Sequence, residues 1–152
     1  MSSPSLFETV TADIAAAMRA RDQDALDALR MLKTALTNRR VELTRDLEPV
    51  EGLQVVSTLV KQRRDSIEQF EGAGRQELAD KERRELALLE RYLPPPLDPA
   101  AIDAAVTSAI EETGASSAKD MGRVMKAVMA RLGGQLVDGK LVSERVRRAL
   151  AT

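Results

Sequence analysis

Residues Lys61–Pro96 read KQRRDSIEQFEGAGRQELADKERRELALLERYLPPP: a charged segment, two glycines, a second charged segment and three prolines. Leu78, Leu86, Leu89 and Leu93 recur at helical spacing in the second segment. A glycine just past a helix end can adopt the left-handed conformation that closes the last turn. Successive prolines end a helix, because they lack the backbone N–H and exclude the helical conformation before them. The stretch therefore predicts a helical hairpin followed by a domain boundary.

Apolar residues recur at helical spacing on both sides of this hairpin. Each segment with this spacing begins at a residue that commonly starts helices. These starts are Ser3 or Ser5, Asp22 or Asp24, Pro49, Asp98 with Pro99, Ser116 or Ser117 with Asp120, and Asp138 with Gly139. We therefore predict an all-α protein. An N-terminal bundle of about four helices spans residues 1–93, a proline linker spans 94–97, and a C-terminal three-helix bundle spans 98–152.

The composition favours helices and excludes several kinds of chemistry. Of 152 residues, 43% are hydrophobic, yet there are only two Phe, one Tyr and no Trp, so the core must be aliphatic. The absence of Cys excludes disulfides and thiolate sites, and the absence of His removes the usual general base and metal ligand. We therefore expect no metal, no cofactor and no catalytic residue.

Net charge and hydropathy limit the partners. The chain has 23 basic and 24 acidic residues, so no overall positive field attracts nucleic acid, and any RNA contact must be local or directed by shape. The longest apolar run, Ile14–Met18, is far too short to span a membrane. The start MSSPSLFETV lacks the basic and apolar regions of a signal peptide. These features predict a cytoplasmic protein with no membrane partner.

Charged residues in the second hairpin segment predict local ion pairs. Glu77 precedes Lys81, and Asp80 precedes Arg84, by the four residues that bring side chains together on a helix. Such a run is usually a solvated helix face. The hairpin also carries enough Arg and Lys to contact phosphates, although its acidic neighbours dilute their field.

Three patterns in the C-terminal segment each have a functional and a structural interpretation. Residues 116–119 match the S-x-x-K pattern of serine acyl enzymes, but a capping role already explains the serine. Residues 138–140 resemble a fragment of a phosphate loop, and a helix start is the better interpretation. Met121, Met125 and Met129 lie four apart on one helix face, which favours a core position over an adaptable binding groove.

Five blocks of sequence resemble the GatB/YqeY proteins. They are RMLKTAL at 30–36, KQRRDSIEQF at 61–70, GRQELA at 74–79, LLERYLP at 88–94 and DMGRVMKAVM at 120–129. The resemblance covers nearly the whole chain. The turn at 133–140, GGQLVDGK, is longer than the corresponding turn in that family.

The resemblance implies a helical protein similar to the tail of the B subunit of the glutamine-dependent tRNA amidotransferase, which helps to hold tRNA. Family members are labelled carbon–nitrogen ligases with glutamine as amide donor, yet this chain shows no glutaminase centre and no ATP-binding loop. The leading hypothesis is therefore a tRNA-binding or tRNA-amidotransferase accessory module. The alternatives are intrinsic ligase activity and a protein-interaction scaffold that binds an amidotransferase subunit or another protein.

The candidate RNA-binding residues come from both parts of the chain. They are basic residues on predicted helices, where contacts to phosphate and 2′-hydroxyl groups suffice to bind structured RNA. The set comprises Arg63, Arg64 and Arg75 in the hairpin and Lys119, Arg123, Lys126 and Lys140 in the C-terminal bundle.

Overall fold

The computed structural model describes residues 3–95, 97–133, 135 and 137–151. These residues form seven α-helices and one 3₁₀ turn, without any strand in the described part of the chain, and the all-α prediction is confirmed. The chain divides into two compact units, residues 1–94 and 95–152. Pro96 of the predicted linker and residues 134 and 136 of the turn before the last helix lie outside the described residues.

Each unit is built from consecutive helices. The N-terminal unit contains α1 (Leu6–Ala20), α2 (Gln23–Leu43), α3 (Pro49–Gly72) and α4 (Gln76–Glu90). The C-terminal unit contains α5 (Pro99–Thr113), the 3₁₀ turn (Ala118–Asp120), α6 (Met121–Arg131) and α7 (Gly139–Leu150).

Local sequence explains where the helices begin. The side chains that cap α1, α2, α5 and α7 by accepting a backbone N–H bond are those of Ser5, Asp22, Asp98 and Asp138. Pro49 is the first residue of α3, where its missing N–H costs no hydrogen bond. Each of these residues was among the predicted helix starts.

Helices α3 and α4 pack against each other as a hairpin, and α4 also packs against α2. After α3 ends at Gly72, Gly74 takes a φ of 72°, which glycine adopts without strain. This conformation lets the backbone N–H of Arg75 donate to the Phe70 carbonyl at 2.8 Å. The predicted glycine turn is therefore confirmed at Gly74.

Each unit has its own aliphatic core. The fully or nearly fully buried leucines and valines of the N-terminal unit include Val10, Leu29, Leu32, Leu36, Val56 and Leu89. The fully or nearly fully buried isoleucine and valines of the C-terminal unit include Ile102, Val106, Val124, Val128, Val142 and Val146. Among the described residues, aromatic side chains contribute at the edge of the first core, where the Tyr92 hydroxyl donates to the carboxylate of Asp13 and so joins the turn after α4 to α1.

Candidate functional site

Arg63, a predicted RNA-binding residue, belongs to α3, and its side chain packs against α4 with only 13% of it exposed. Its two terminal nitrogens bind the carboxylates of Glu82 at 2.9 Å and Glu85 at 3.1 Å. Nη2 also lies 2.8 Å from the thioether sulfur of Met31 on α2. The guanidinium therefore joins three helices of the N-terminal unit and offers little surface to a phosphate.

Glu85 is the one buried charged residue in the described part of the chain, with 5% of its surface exposed. Burial raises the pKa of its carboxyl, and the charge of Arg63 opposes that rise without cancelling it. The Nε atom of Arg63 is itself buried without a hydrogen-bond partner among the described residues. This cluster pairs one guanidinium with two carboxylates, so removing Arg63 would leave Glu85 buried without a partner.

Arg64 and Arg75, the other hairpin candidates, are exposed but also paired. Arg64 binds Glu90 at 2.9 Å and Arg75 binds Glu77 at 3.1 Å, with 64% and 58% of the arginine side chains exposed. A backbone hydrogen bond at Glu77, followed by the bond from Arg75, lowers the pKa of Glu77. The structure therefore places the hairpin candidates among carboxylates and does not bring the three together at one open site.

Two further cations of α4 contact α2 instead of their predicted partners. Arg84 binds Asp24 at 2.9 Å, and Lys81 lies 3.8 Å from Asp27. The predicted pairs of Glu77 with Lys81 and of Asp80 with Arg84 are absent among the described ion pairs. The prediction was wrong because packing of α4 on α2 places carboxylates within reach of these cations.

Arg123 is held in place by the start of α6. Asp120 and Ser117 form the predicted capping box, and Asp120 Oδ2 accepts the backbone N–H of Ser116 at 3.0 Å. The other oxygen, Oδ1, accepts from Arg123 Nη2. The backbone hydrogen bond from Ser116 and then the bond from Arg123 lower the pKa of Asp120. Arg123 keeps 62% of its side chain exposed and is therefore oriented but accessible.

The other C-terminal candidates are exposed lysines. Lys119 lies in the 3₁₀ turn, Lys126 on α6 and Lys140 in the first turn of α7. None of the three takes part in an ion pair among the described residues. Their ammonium groups are therefore available to an anionic partner.

Arg147 and Arg148, which the sequence analysis did not select, share these properties. Both are exposed in the last turn of α7 and form no ion pair within the described residues. The signal was present in the sequence: Val142 and Val146 mark the buried side of α7, so both arginines fall outside it. We call Lys119, Arg123, Lys126, Lys140, Arg147 and Arg148 the C-terminal cations.

Charge is segregated within the C-terminal unit. Residues 95–114, which include α5, contain four acidic residues and no Lys or Arg, whereas residues 115–152 contain eight basic and three acidic residues. Asp103 and Glu112 of α5 bind Arg145 and Arg131 at 2.6 and 2.8 Å. These pairs use two arginines and leave the C-terminal cations in excess over the carboxylates near them.

The patterns at 116–119 and 121–129 have structural roles. Ser117 caps the 3₁₀ turn, and no hydrogen bond between a serine hydroxyl and Lys119 is present among the described residues. Met121 and Met125 pack against the C-terminal core, as their spacing predicts, while Met129 is 42% exposed. The described residues contain no group of three or more side chains able to hold a metal ion.

A cleft of about 690 Å³ lies in the N-terminal unit, where the starts of α1 and α3 meet α2. Phe7 lines it, and Arg40 and Lys33 lie over the Phe7 ring at 5.2 and 5.5 Å from its centroid. None of the predicted site residues lines this cleft.

We find no helix among the described residues with the length and apolarity needed to cross a membrane.

Comparison with known proteins identifies relatives over most of the chain. A family model described as Yqey-like protein matches residues 7–150. A protein of Pyrenophora tritici-repentis named "Altered inheritance of mitochondria protein 41, mitochondrial" is 31% identical over 147 residues, covering 91% of this chain and 77% of the relative. A protein of the same name from Lachancea thermotolerans is 31% identical over 103 residues, or 66% of this chain and 55% of that relative.

These names contradict the predicted cytoplasmic location, because both relatives are named as mitochondrial proteins. The prediction relied on the composition and on the first ten residues. Composition within a folded domain does not encode its compartment, since targeting signals are separate segments.

Three observations indicate the same family. They are the sequence blocks that resemble the GatB/YqeY proteins, the helical fold and the match of the family model over residues 7–150. The 31% identity to a relative that this chain covers by more than two thirds supports the same conclusion. The chain belongs to the YqeY-like family.

Proposed function

We propose that this chain is a tRNA-binding module that acts as an accessory to tRNA amidation, and that its C-terminal unit makes the principal contact. The observation that carries the proposal is the excess of exposed cations over carboxylates in residues 115–152. Clustered Lys and Arg bind the phosphate backbone, and this electrostatic term dominates affinity for nucleic acid. The C-terminal cations concentrate exposed positive charge in this unit, although the chain as a whole is nearly neutral.

The composition of the C-terminal unit favours structured RNA over single strands. Residues 95–152 contain no Phe, Tyr or Trp, so no aromatic side chain of this unit can stack on an unpaired base. Helical RNA is bound mainly through its shape, its phosphates and its 2′-hydroxyl groups. A folded tRNA presents these groups without any need for base reading.

The hairpin candidates contribute less. Arg64 and Arg75 remain secondary contacts in the proposal, because exposed ion pairs are weak in water and a phosphate can compete for the arginine. Arg63 is not part of the proposed surface, since its terminal nitrogens bind Glu82 and Glu85 inside the unit.

The proposal is tested by the mobility shift of total tRNA with purified protein across a salt series. We expect binding that weakens steeply with salt, because released counterions oppose the complex. The double variant Arg123→Glu with Lys126→Glu should lose this binding while its circular dichroism stays helical. Unchanged binding by a folded double variant would remove the C-terminal unit from the proposal.

Two alternative functions can be tested with the same purified protein. A protein-interaction scaffold is the second candidate, favoured by the exposure of Met129 at 42% on α6. It predicts no binding of tRNA and a protein partner that is retained at high salt. Hydrolysis of glutamine by the purified chain would instead support a carbon–nitrogen ligase with glutamine as amide donor.

A further inference from the structure

Gly122, near the start of α6, has no requirement for glycine within its own unit. Gly74 and Gly114 have φ values of 72° and 66°, which side chains rarely adopt. At Gly52, an added Cβ would lie 3.1 Å from the Leu6 side chain. Gly122 is not among the residues with positive φ, and an added Cβ there would meet no described atom within 4 Å outside its chain neighbours and its own helix backbone. Neither backbone conformation nor crowding therefore explains this glycine.

Its position makes the absence of a side chain unfavourable for the helix. Two other glycines, Gly72 and Gly139, also lie in open space, but they are the last residue of α3 and the first of α7, where helices tolerate glycine. Gly122 lies inside the continuous helical stretch 118–131. Glycine is the poorest helix former after proline, so α6 loses stability at this position without a gain inside the unit.

The neighbours of Gly122 are three of the C-terminal cations. Lys119 precedes it by three residues and Lys126 follows it by four, which places both lysines on its side of the helix. Arg123 is the next residue, and all four positions are exposed. The carboxylate of Asp120 is already bound by backbone N–H groups and by Arg123, so its charge is compensated.

We infer that Gly122 forms a notch on α6 that receives one phosphodiester group of the RNA, with Lys119 and Lys126 on either side. A missing side chain lets another backbone approach a helix closely, and flanking ammonium groups favour an anion at that place. The inference rests on the proposed function and adds to it the point of closest contact and the group that is bound there.

The test compares Gly122→Ala with Gly72→Ala, a matched substitution at an open helical glycine of the N-terminal unit. Alanine at position 122 should weaken binding of total tRNA by about fivefold. It should also reduce the slope of log affinity against log salt by about one, which corresponds to the loss of one phosphate contact. Its melting temperature should equal or exceed that of the wild type, because alanine favours a helix. Gly72→Ala should bind tRNA as the wild type does.

Each other outcome overturns the inference in a distinguishable way. If Gly122→Ala binds normally while the Arg123→Glu, Lys126→Glu double variant does not, the notch is wrong and the proposed function stands. If Gly72→Ala weakens binding equally, the effect is not specific to α6. A lower melting temperature of Gly122→Ala would reveal an internal need for glycine. If the wild type binds no tRNA, the proposed function fails together with the notch.

Discussion

Residues 61–94, which cover most of the α3–α4 hairpin, and residues 115–152 of the C-terminal unit carry the same number of cations in different surroundings. Residues 61–94 contain eight basic and eight acidic residues, whereas residues 115–152 contain eight basic and three acidic residues. In the hairpin most of the arginines bind carboxylates of their own unit. A count of cations therefore does not identify a binding surface. What matters is how many carboxylates lie within reach of each cation.

The largest expected effect is on the stability of the N-terminal unit. Arg63→Ala would leave Glu85 buried without its partner, and breaking a buried ion pair in this way costs about 3–5 kcal/mol of unfolding free energy. Urea denaturation followed by circular dichroism measures this loss.

Arg64→Ala is the matched control, because Arg64 lies on the same helix and also binds a glutamate, but with 64% of its side chain exposed. Its cost should stay below about 1 kcal/mol, as for other exposed pairs. Equal losses in the two variants would show that the Arg63 cluster is not the buried network that the structure describes.

The next effect is on the pH dependence of stability, which should have opposite signs in the two units. The raised pKa of Glu85 means that folding favours its protonated form. That contribution is complete below its ordinary pKa of 4.5 and is lost as pH rises through the raised value. Relative to Glu85→Gln, the wild type should therefore gain stability as pH falls from neutral toward 4.5.

Asp120 in the C-terminal unit should behave in the opposite way. Its lowered pKa means that folding favours the carboxylate, so its contribution is present above its ordinary pKa of 3.8 and is lost as pH falls toward the lowered value. Relative to Asp120→Asn, the wild type should lose stability in that acidic range. Thermal unfolding of both variants across pH checks the signs, and the same sign for both would contradict the comparison.

A smaller effect is expected when single lysines of the two regions are replaced and the salt dependence of RNA binding is compared. Lys126→Ala should reduce the slope of log affinity against log salt by about one, because one phosphate contact is lost. Lys81→Ala should leave the slope unchanged, since Lys81 lies 3.8 Å from Asp27 in the N-terminal unit. Mobility shifts of total tRNA at several salt concentrations measure both slopes. An equal decrease in the two variants would show that the hairpin contributes as much as α6.

Features that depend on neighbouring residues in sequence could be predicted. The helical period, the caps at Ser5, Asp22, Asp98 and Asp138, and the capping box of Ser117 with Asp120 need only a few adjacent residues. An aliphatic core followed from the scarcity of aromatic residues. These local rules were enough to obtain the helices of both units.

The partners of individual charges could not be predicted. Arg84 binds Asp24 across a sequence separation of 60 residues, and Arg63 contacts Met31 across 32. Such contacts depend on the register of one helix against another, which helical spacing does not determine. For the same reason the sequence did not reveal that Arg63 binds Glu82 and Glu85 inside its own unit.

The most direct test of the contrast between the two regions compares two double charge reversals for binding to total tRNA at low salt. One is Arg123→Glu with Lys126→Glu in the C-terminal unit, and the other is Arg64→Glu with Arg75→Glu in the hairpin, each checked for helical circular dichroism. We predict that the first abolishes the mobility shift and the second weakens it only slightly. An equal loss in both, or a loss confined to the hairpin variant, would contradict the account.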